Sequence, residues 1–534
     1  MVAKQCVLTG DVDLAAAGML EIGSFTSFNC RGHRIFTSSP GTDINHRSSP
    51  EVGVFLRGVQ GVTLRNCVID GFDFPILMAN SKLPPGGTDH ATLQSRANNL
   101  VGNTVTGRYT GITLVNVDNT RIKDSSITIT NVNGLGIYVL RDSDQNEIKN
   151  NTIAVHANND ASGAMKLPGP VLISNPISAG ASGSGGILVT QGTGVPTLLN
   201  AVIGGQLYQF TTSDSPVPND DFGADNTISG NTIDTVVPSQ MNDIGVSVSA
   251  RISVRDNKLG AARIGVLFGA ASYQVTLRFP GTCSTDPGRR CLSGGSTPMV
   301  CSGDNGVSCT SNTACTGKGT CVTNDCFISA IDAVSKGTCG PLTDKLVLWI
   351  SEDPIIESNT ITGPLLEGIQ IAAPNALIQG NDITGPTWPA TDFTVVGGVG
   401  IGLRRFALQS ATVTRNRVSN FVAPIRLLSN APAFGAHVML NDFYPGNAEI
   451  LLDSPTFAAE LSAAGSGNYW GLACSDHGGF DPDKAIVVTS GTVDANGNVS
   501  LVGVPTANIH DSHPYGVPVA ALDDISLPSP CSTP

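Results

Sequence analysis

Residues 355–386, IIESNTITGPLLEGIQIAAPNALIQGNDITGP, state one phrase twice. Ile356, Asn359, Ile361, Thr362, Gly363 and Pro364 recur as Ile378, Asn381, Ile383, Thr384, Gly385 and Pro386, a shift of 22 residues. Between the copies lies a second short alternation, Gly368-Ile369-Gln370-Ile371. A period of this size, made of short alternating segments closed by Asn or Gly, cannot build a globular core from one unit. It buries its apolar positions only by stacking on the next copy, as a solenoid does.

The first phrase, aliphatic, two residues, Asn, one residue, apolar, recurs around Asn103, Ser125, Asn151, Asn231, Asn257, Asn359, Asn381, Asn416 and Asn441. The intervals are 22, 26, 80, 26, 102, 22, 35 and 25 residues, so the two long ones mark insertions. Gly followed by alternating apolar residues interleaves with it at Gly111, Gly136, Gly186, Gly245, Gly265, Gly368 and Gly400. Each coil therefore holds at least two strands of period 2. Leucine-rich repeats also use Asn this way, but the apolar positions here are mostly Ile and Val and no helical period lies between the phrases. β-Branched residues favour the pleated strand. The expected fold is all-β, a parallel β-helix of about ten or more coils. Its repeat Asn side chains stack about 4.8 Å apart, hold turns and do no chemistry.

A chain of 534 residues is long enough for several ordinary domains, but a solenoid spends length on coils. The net charge of -13 repels a polyanion overall, which argues against nucleic acid while leaving room for a local basic groove or a bridging cation on an acidic polysaccharide. No run of 18 apolar residues is present, so no membrane span is expected. Thirteen cysteines point to an oxidising compartment, extracellular or periplasmic. The start, MVAKQCVLTG, has no apolar signal core, so an exported form has had its leader trimmed.

Along the chain, 1–50 reads as an N-terminal cap with Cys6 tied to Cys30, and 51–475 as the β-helix. Cys67, in a core position of the first coil, reads as a buried free thiol. Insertions interrupt the coils at 154–225 and 281–340. The second holds Cys283, Cys291, Cys301, Cys309, Cys315, Cys321, Cys326 and Cys339 in a stretch too poor in aliphatics to make a core. With no His and no CxxC, it reads as a disulfide-stapled knob rather than a zinc site. Residues 476–534 form a C-terminal cap and tail; just before it Trp470 plugs the open end of the core, and Cys474 pairs with Cys531 to lock the cap.

GLGIYVLRDSDQNEIKNNTI, IIESNTITG, ALIQGNDITG and the later GNYWG resemble the repeats of the pectin-lyase-like superfamily of right-handed parallel β-helices, and within it the NosD-like secreted group. The resemblance covers roughly 52–475 less the insertions. It implies a right-handed helix and a range of functions from pectate and alginate lyases and polygalacturonases to tailspikes and non-enzymatic surface proteins. The polygalacturonase and epimerase signatures the superfamily implies are not met: there is no Gly-His-Gly, Asp220-Asp221 lies in an insertion, and FDPDK at 480–484 lacks the His of Asp-Pro-His-Asp.

A lyase needs a cation for the uronate carboxylate, a base for the C5 proton and an acid for the leaving oxygen. Aligning the Gly phrases puts Asp243 above Arg263, sets Arg404 four residues after its Gly and, with Pro424 standing for Gly, matches Arg426 to Gln370; Glu367 is nearby in sequence order. These five are the candidate catalytic residues. The competing reading is coil-to-coil ion pairs, worth about 0 to 1 kcal/mol each. For metals, Asp142-Ser-Asp144-Gln-Asn146 starts like a calcium loop but lacks its Gly and Glu, and His510 and His513 make a single pair. Calcium is the one cofactor kept open. The expected function is binding or lyase-like processing of an acidic polysaccharide or cell-surface glycan, on a face between the two insertions. The alternative is a non-catalytic adhesive or self-assembling surface protein.

Overall fold

A computed structural model describes most of 4–38, 51–79, 95–155, 224–269, 352–386, 398–476 and 509–531, the strand at 184–190, and the backbones of several short antiparallel pairs. Three parallel sheets run the length of the chain, two of 12 strands and one of 14. Each turn of chain gives one strand to each sheet in the same order. In the ninth coil these are Ile355–Glu357, Thr360–Thr362 and Glu367–Ile371. The tenth repeats them as Leu377–Gln379, Asp382–Thr384 and Val399–Arg404, in register Ile356↔Ile378, Ile361↔Ile383 and Ile369↔Ile401. Inward residues thus form aliphatic columns down the molecule, and nearly all are fully buried. Parallel strands joined this way wind right-handed.

The coils reach further back than expected. Lys4–Val7, Val12–Asp13 and Leu20–Glu21 already pair with the strands of the second coil, one in each sheet. The first insertion also returns to the helix: Ser184–Thr190 is a third-sheet strand between Leu135–Leu140 and Met241–Ser247. In 281–340, Met299–Cys301 pairs antiparallel with Asp304–Cys309 and with Cys321–Val322, outside the three long sheets. The pairing of its eight cysteines lies outside the described residues.

At the turn from first to second sheet the repeat Asn residues form one ladder. Asn359 N–H and Nδ2 both donate to Asn381 Oδ1, at 3.0 and 2.9 Å, and Asn359 Nδ2 also donates to Val254 O at 2.9 Å. The same bonds run through Asn151, Asn231, Asn257, Asn416 and Asn441 to Asn468, with Ser125 Oγ in line. The residue before each rung from Asn103 to Asn441 is left-handed; small or Asx residues such as Asn150, Gly230, Asp256 and Gly380 fill most of these places, and Arg415 and Leu440 the last two.

The expected Cys6–Cys30 link and free Cys67 are both wrong: Cys30 and Cys67 form the disulfide, and Cys6 is a free thiol. Cys67 sits where the next coil has Asn103, whose Oδ1 takes the Cys67 N–H at 3.1 Å. Cys30 lies at the matching turn one coil earlier, so stacking brings the two sulfurs together. Cys6 pairs with Phe28 inside a strand, away from that turn.

The other end is sealed. Trp470 is fully buried against Phe443 at 5.0 Å between centroids, and Cys474 pairs with Cys531. Ala485–Val493 and Val499–Pro505 close the third sheet with an antiparallel hairpin.

Candidate functional site

The three sheets present different chemistry outward. On the third, Phe55, Phe74, Leu135, Tyr138 and Leu188 give the early coils an apolar, covered face. In the ninth to eleventh coils the same rows turn polar: Gln370, Gly402 and Arg426 are neighbours in one row. Glu367 opens its strand beside them and is fully buried. Its Oε1 lies 2.7 Å from Arg404 Nη2 and 3.7 Å from Arg426 Nη1. The arginine side chains remain 31% and 20% exposed, whereas the carboxylate side chain is fully buried. Two arginines of adjacent coils meet at one carboxylate oxygen.

Three of the five candidate residues thus come together: Glu367, Arg404 and Arg426. Asp243 and Arg263 do not form the expected stack. The register is Asn242↔Ile264 and Gly245↔Leu267, which places Asp243 beside Gly265. Gly245 is two positions out of phase with the other Gly phrases, and aligning on it moved the whole coil. The true glycine column (Gly111, Gly136, Gly186, Gly265, Gly368, Gly400) sits at the tight corner into the third sheet, where an added Cβ would lie 2.0–2.5 Å from a branched residue of the next coil. Next to Asp243 that residue is Leu259, unbranched at Cβ, which leaves room for a side chain. Asp243 is fully buried, and its carboxyl has the Thr235 side chain beside it, whose hydrogen bond only partly opposes the effect of burial. Burial, and secondarily the charge of Asp234, pushes its carboxyl well above the usual carboxylate range. Arg263 contributes its backbone, accepting the Leu366 N–H at 2.8 Å. The expected position between the insertions is also corrected. The cysteine-rich segment leaves the helix between Ile264–Gly269 and Ile355–Glu357, so the three clustered residues lie on coils beyond it.

Two charged sites escaped the sequence. Arg108 Nε lies 2.9 Å from Asp73 Oδ1, and Arg108 also bridges to Glu51; Asp73 Oδ2 takes the Glu51 N–H at 2.9 Å. These residues sit at the same corner in three successive coils, but no repeated phrase marks them. Asp511, between His510 and His513, turns inward to end the Asn ladder. Its Oδ2 accepts Asn468 N, Asn468 Nδ2 and Trp470 Nε1 at 2.8, 3.0 and 3.0 Å.

The family model described as periplasmic copper-binding protein (NosD) matches residues 28–166, about a quarter of the chain. With the stacked parallel sheets, this settles the architecture. The chain is a right-handed parallel β-helix repeat protein. No curated protein matches the β-helix chain. Among solved structures it is similar to the Dettilon tailspike protein, at 12% identity over 84% of this chain and 61% of that one, TM-score 0.36. A tailspike of E. coli bacteriophage HK620 gives 10% identity over 83% and 57%, TM-score 0.39. The catalytic domain of a GH87 α-1,3-glucanase in complex with nigerose gives 11% over 78% and 59%, TM-score 0.35. The β-helix protein spans about three fifths of the length of these chains.

The described donors of the matched stretch do not fit copper, which takes thiolate, thioether and imidazole. Cys30 and Cys67 are spent on each other, Met78 is fully buried with its Sδ 3.5 Å from Asn98 Nδ2, and His33 stands alone beside Asp11 at 3.5 Å. Among the described residues no three His, Cys, Asp or Glu side chains group as ligands. In the calcium-like run, Ser143 Oγ donates to Leu140 O, Asp144 Oδ1 accepts the Ala224 N–H and Asn146 Oδ1 accepts the Thr120 N–H, all of them turn bonds.

Proposed function

We propose that this is an extracytoplasmic β-helix that binds an acidic polysaccharide on the outer face of its third sheet, at Arg404 and Arg426. The observation that carries the reading is the pair of partly exposed arginine side chains from adjacent coils that converge on a single buried carboxylate. Strand spacing sets successive coils about 4.8 Å apart, close to the rise of a sugar unit, so a polymer lying along the axis meets one coil per residue. A guanidinium recognises a carboxylate through two parallel bonds. An aromatic content of 5% leaves little for ring stacking on neutral sugars.

Cleavage is a narrower reading. A lyase base must reach the sugar, and the two candidate carboxylates, Asp243 and Glu367, are fully buried, with Glu367 held by two arginines. Binding is therefore the core of the proposal, and lyase activity its extension. The non-catalytic surface-protein alternative draws on the same burial.

Calorimetric titration with pectate, alginate and glycosaminoglycan oligomers, with and without calcium, tests the binding. Absorbance of the unsaturated uronate product, followed in parallel, tests cleavage. Arg404→Ala and Arg426→Ala should each weaken binding at least about tenfold, in line with loss of a charge-assisted bond, with unchanged circular dichroism. If no acidic polymer binds, or both variants bind as the wild type does, the site is structural.

A further inference from the structure

The ion pair at the site is not built as a structural bridge would be. An arginine and a carboxylate with nothing else to meet close a two-bond fork. Here one oxygen, Glu367 Oε1, serves both guanidinium groups. Glu367 Oε2 is buried without a hydrogen-bond partner, and so is Arg404 Nε. One buried acceptor and one buried donor are left unmet inside a single pair, which is costly. The carboxylate occupies this place because position 402 is glycine: a Cβ there would lie 2.4 Å from Oε2. Gly402 stands between Gln370 and Arg426 in the outward row, so it is a notch across which the acid of one coil reaches the arginines of the next two.

We propose that Glu367 is an internal stand-in for the acidic group of the ligand, an autoinhibitory contact that holds Arg404 and Arg426 until a carboxylate of the polymer displaces it. The proposal rests on the acidic-glycan reading of the site and adds what regulates and selects there. A ligand carboxylate that enters replaces the negative charge of Glu367 beside the two arginines. A sugar hydroxyl, being neutral, is a weak competitor against a carboxylate already in place. The internal acid therefore sets a threshold that only anionic sugars pass. The apparent affinity is lowered by the fraction of time the arginines are occupied.

Calorimetry on the full chain, with polygalacturonate oligomers and neutral dextran oligomers, tests this. Glu367→Gln should bind polygalacturonate about tenfold more tightly than the wild type, the internal competitor having lost its charge, and should show no gain for dextran. Gly402→Ala, whose methyl group pushes the carboxylate from the notch, should shift affinity in the same direction. A folded Glu367→Gln that binds the acidic oligomer equally or more weakly overturns the proposal. If that variant does not fold, Gly402→Ala decides by the same criterion. Should the wild type bind, Arg404→Ala lose binding and neither other variant gain, the site stands and the stand-in alone is wrong. Should neither the wild type nor Glu367→Gln bind any acidic oligomer, both readings fail.

Discussion

Asp511 shows how one residue can close a repeat. Every rung of the Asn ladder accepts from the coil before and donates onward, so the last rung needs an acceptor with nothing left to donate. A carboxylate meets that need, taking three N–H groups on Oδ2 and the His513 N–H on Oδ1 at 3.2 Å. Burial nevertheless outweighs these bonds and raises its pKa from 3.8 to about 6. The folded state thus prefers the protonated acid. Its contribution to stability is fully present below pH 3.8 and is lost as pH rises through about 6. Each tenfold preference is about 1.4 kcal/mol, so the window is worth about 3 kcal/mol. Burial raises Asp243 and Asp442 as well, with the same sign, whereas hydrogen bonds from Ser462 and Ser512 lower Glu460 and oppose it. Chemical denaturation should show stability rising from pH 7 to pH 5, with a shallower rise in Asp511→Asn. An identical slope in the variant would remove Asp511 from this account.

At the scale of the strand and its turns, the corner into the third sheet governs what the sequence can say. Glycine recurs there because the next coil is too close for a side chain. A Cβ at Gly368 would meet Ile383 Cγ2 at 2.4 Å and the Gly400 carbonyl at 2.7 Å, whereas one at Gly10 meets nothing within 4 Å. Gly368→Ala should therefore lower stability by about 1–3 kcal/mol, as overpacking does, while Gly10→Ala stays within about 0.5 kcal/mol. Urea denaturation of both variants checks the contrast, and equal effects would show that the corner relaxes freely. The same column explains the failed alignment of Asp243 with Arg263. Gly245 carries the right letters but lies on the strand beyond the corner, and only the inter-coil hydrogen bonds tell the two positions apart. The nine Asn phrases read cleanly because their spacing to the flanking aliphatics is rigid. The Gly phrases did not, because glycine also occurs where nothing demands it.

At the scale of the molecule, a solenoid exposes its core at an end unless something covers it. Trp470 covers the C-terminal end, fully buried, with its indole N–H on Asp511. Trp470→Ala should cost about 3–5 kcal/mol, as for a large aromatic cut from a core. The loss should appear as earlier hydrogen exchange in the last coils rather than uniform unfolding, since each coil rests on its neighbours. Uniform loss of protection would mean the cap and coils melt as one unit.

The sequence by itself determined the β-helix, the rows of Asn that hold its turns, the Trp470 plug and the Cys474–Cys531 lock. Each of these follows from a period, a residue type or a short local pairing. Only the tertiary structure decided which residues of different coils meet. Cys30 joins Cys67 because their turns stack. Glu367 reaches Arg404 and Arg426 because Gly402 leaves a notch, and Asp243 stands apart because it falls in the glycine column beside Gly265 rather than over Arg263. The physical reason is that a coil's period fixes which way a residue points. The chain length between coils varies with every insertion, so lateral neighbours are set by inter-strand hydrogen bonds that no linear spacing records.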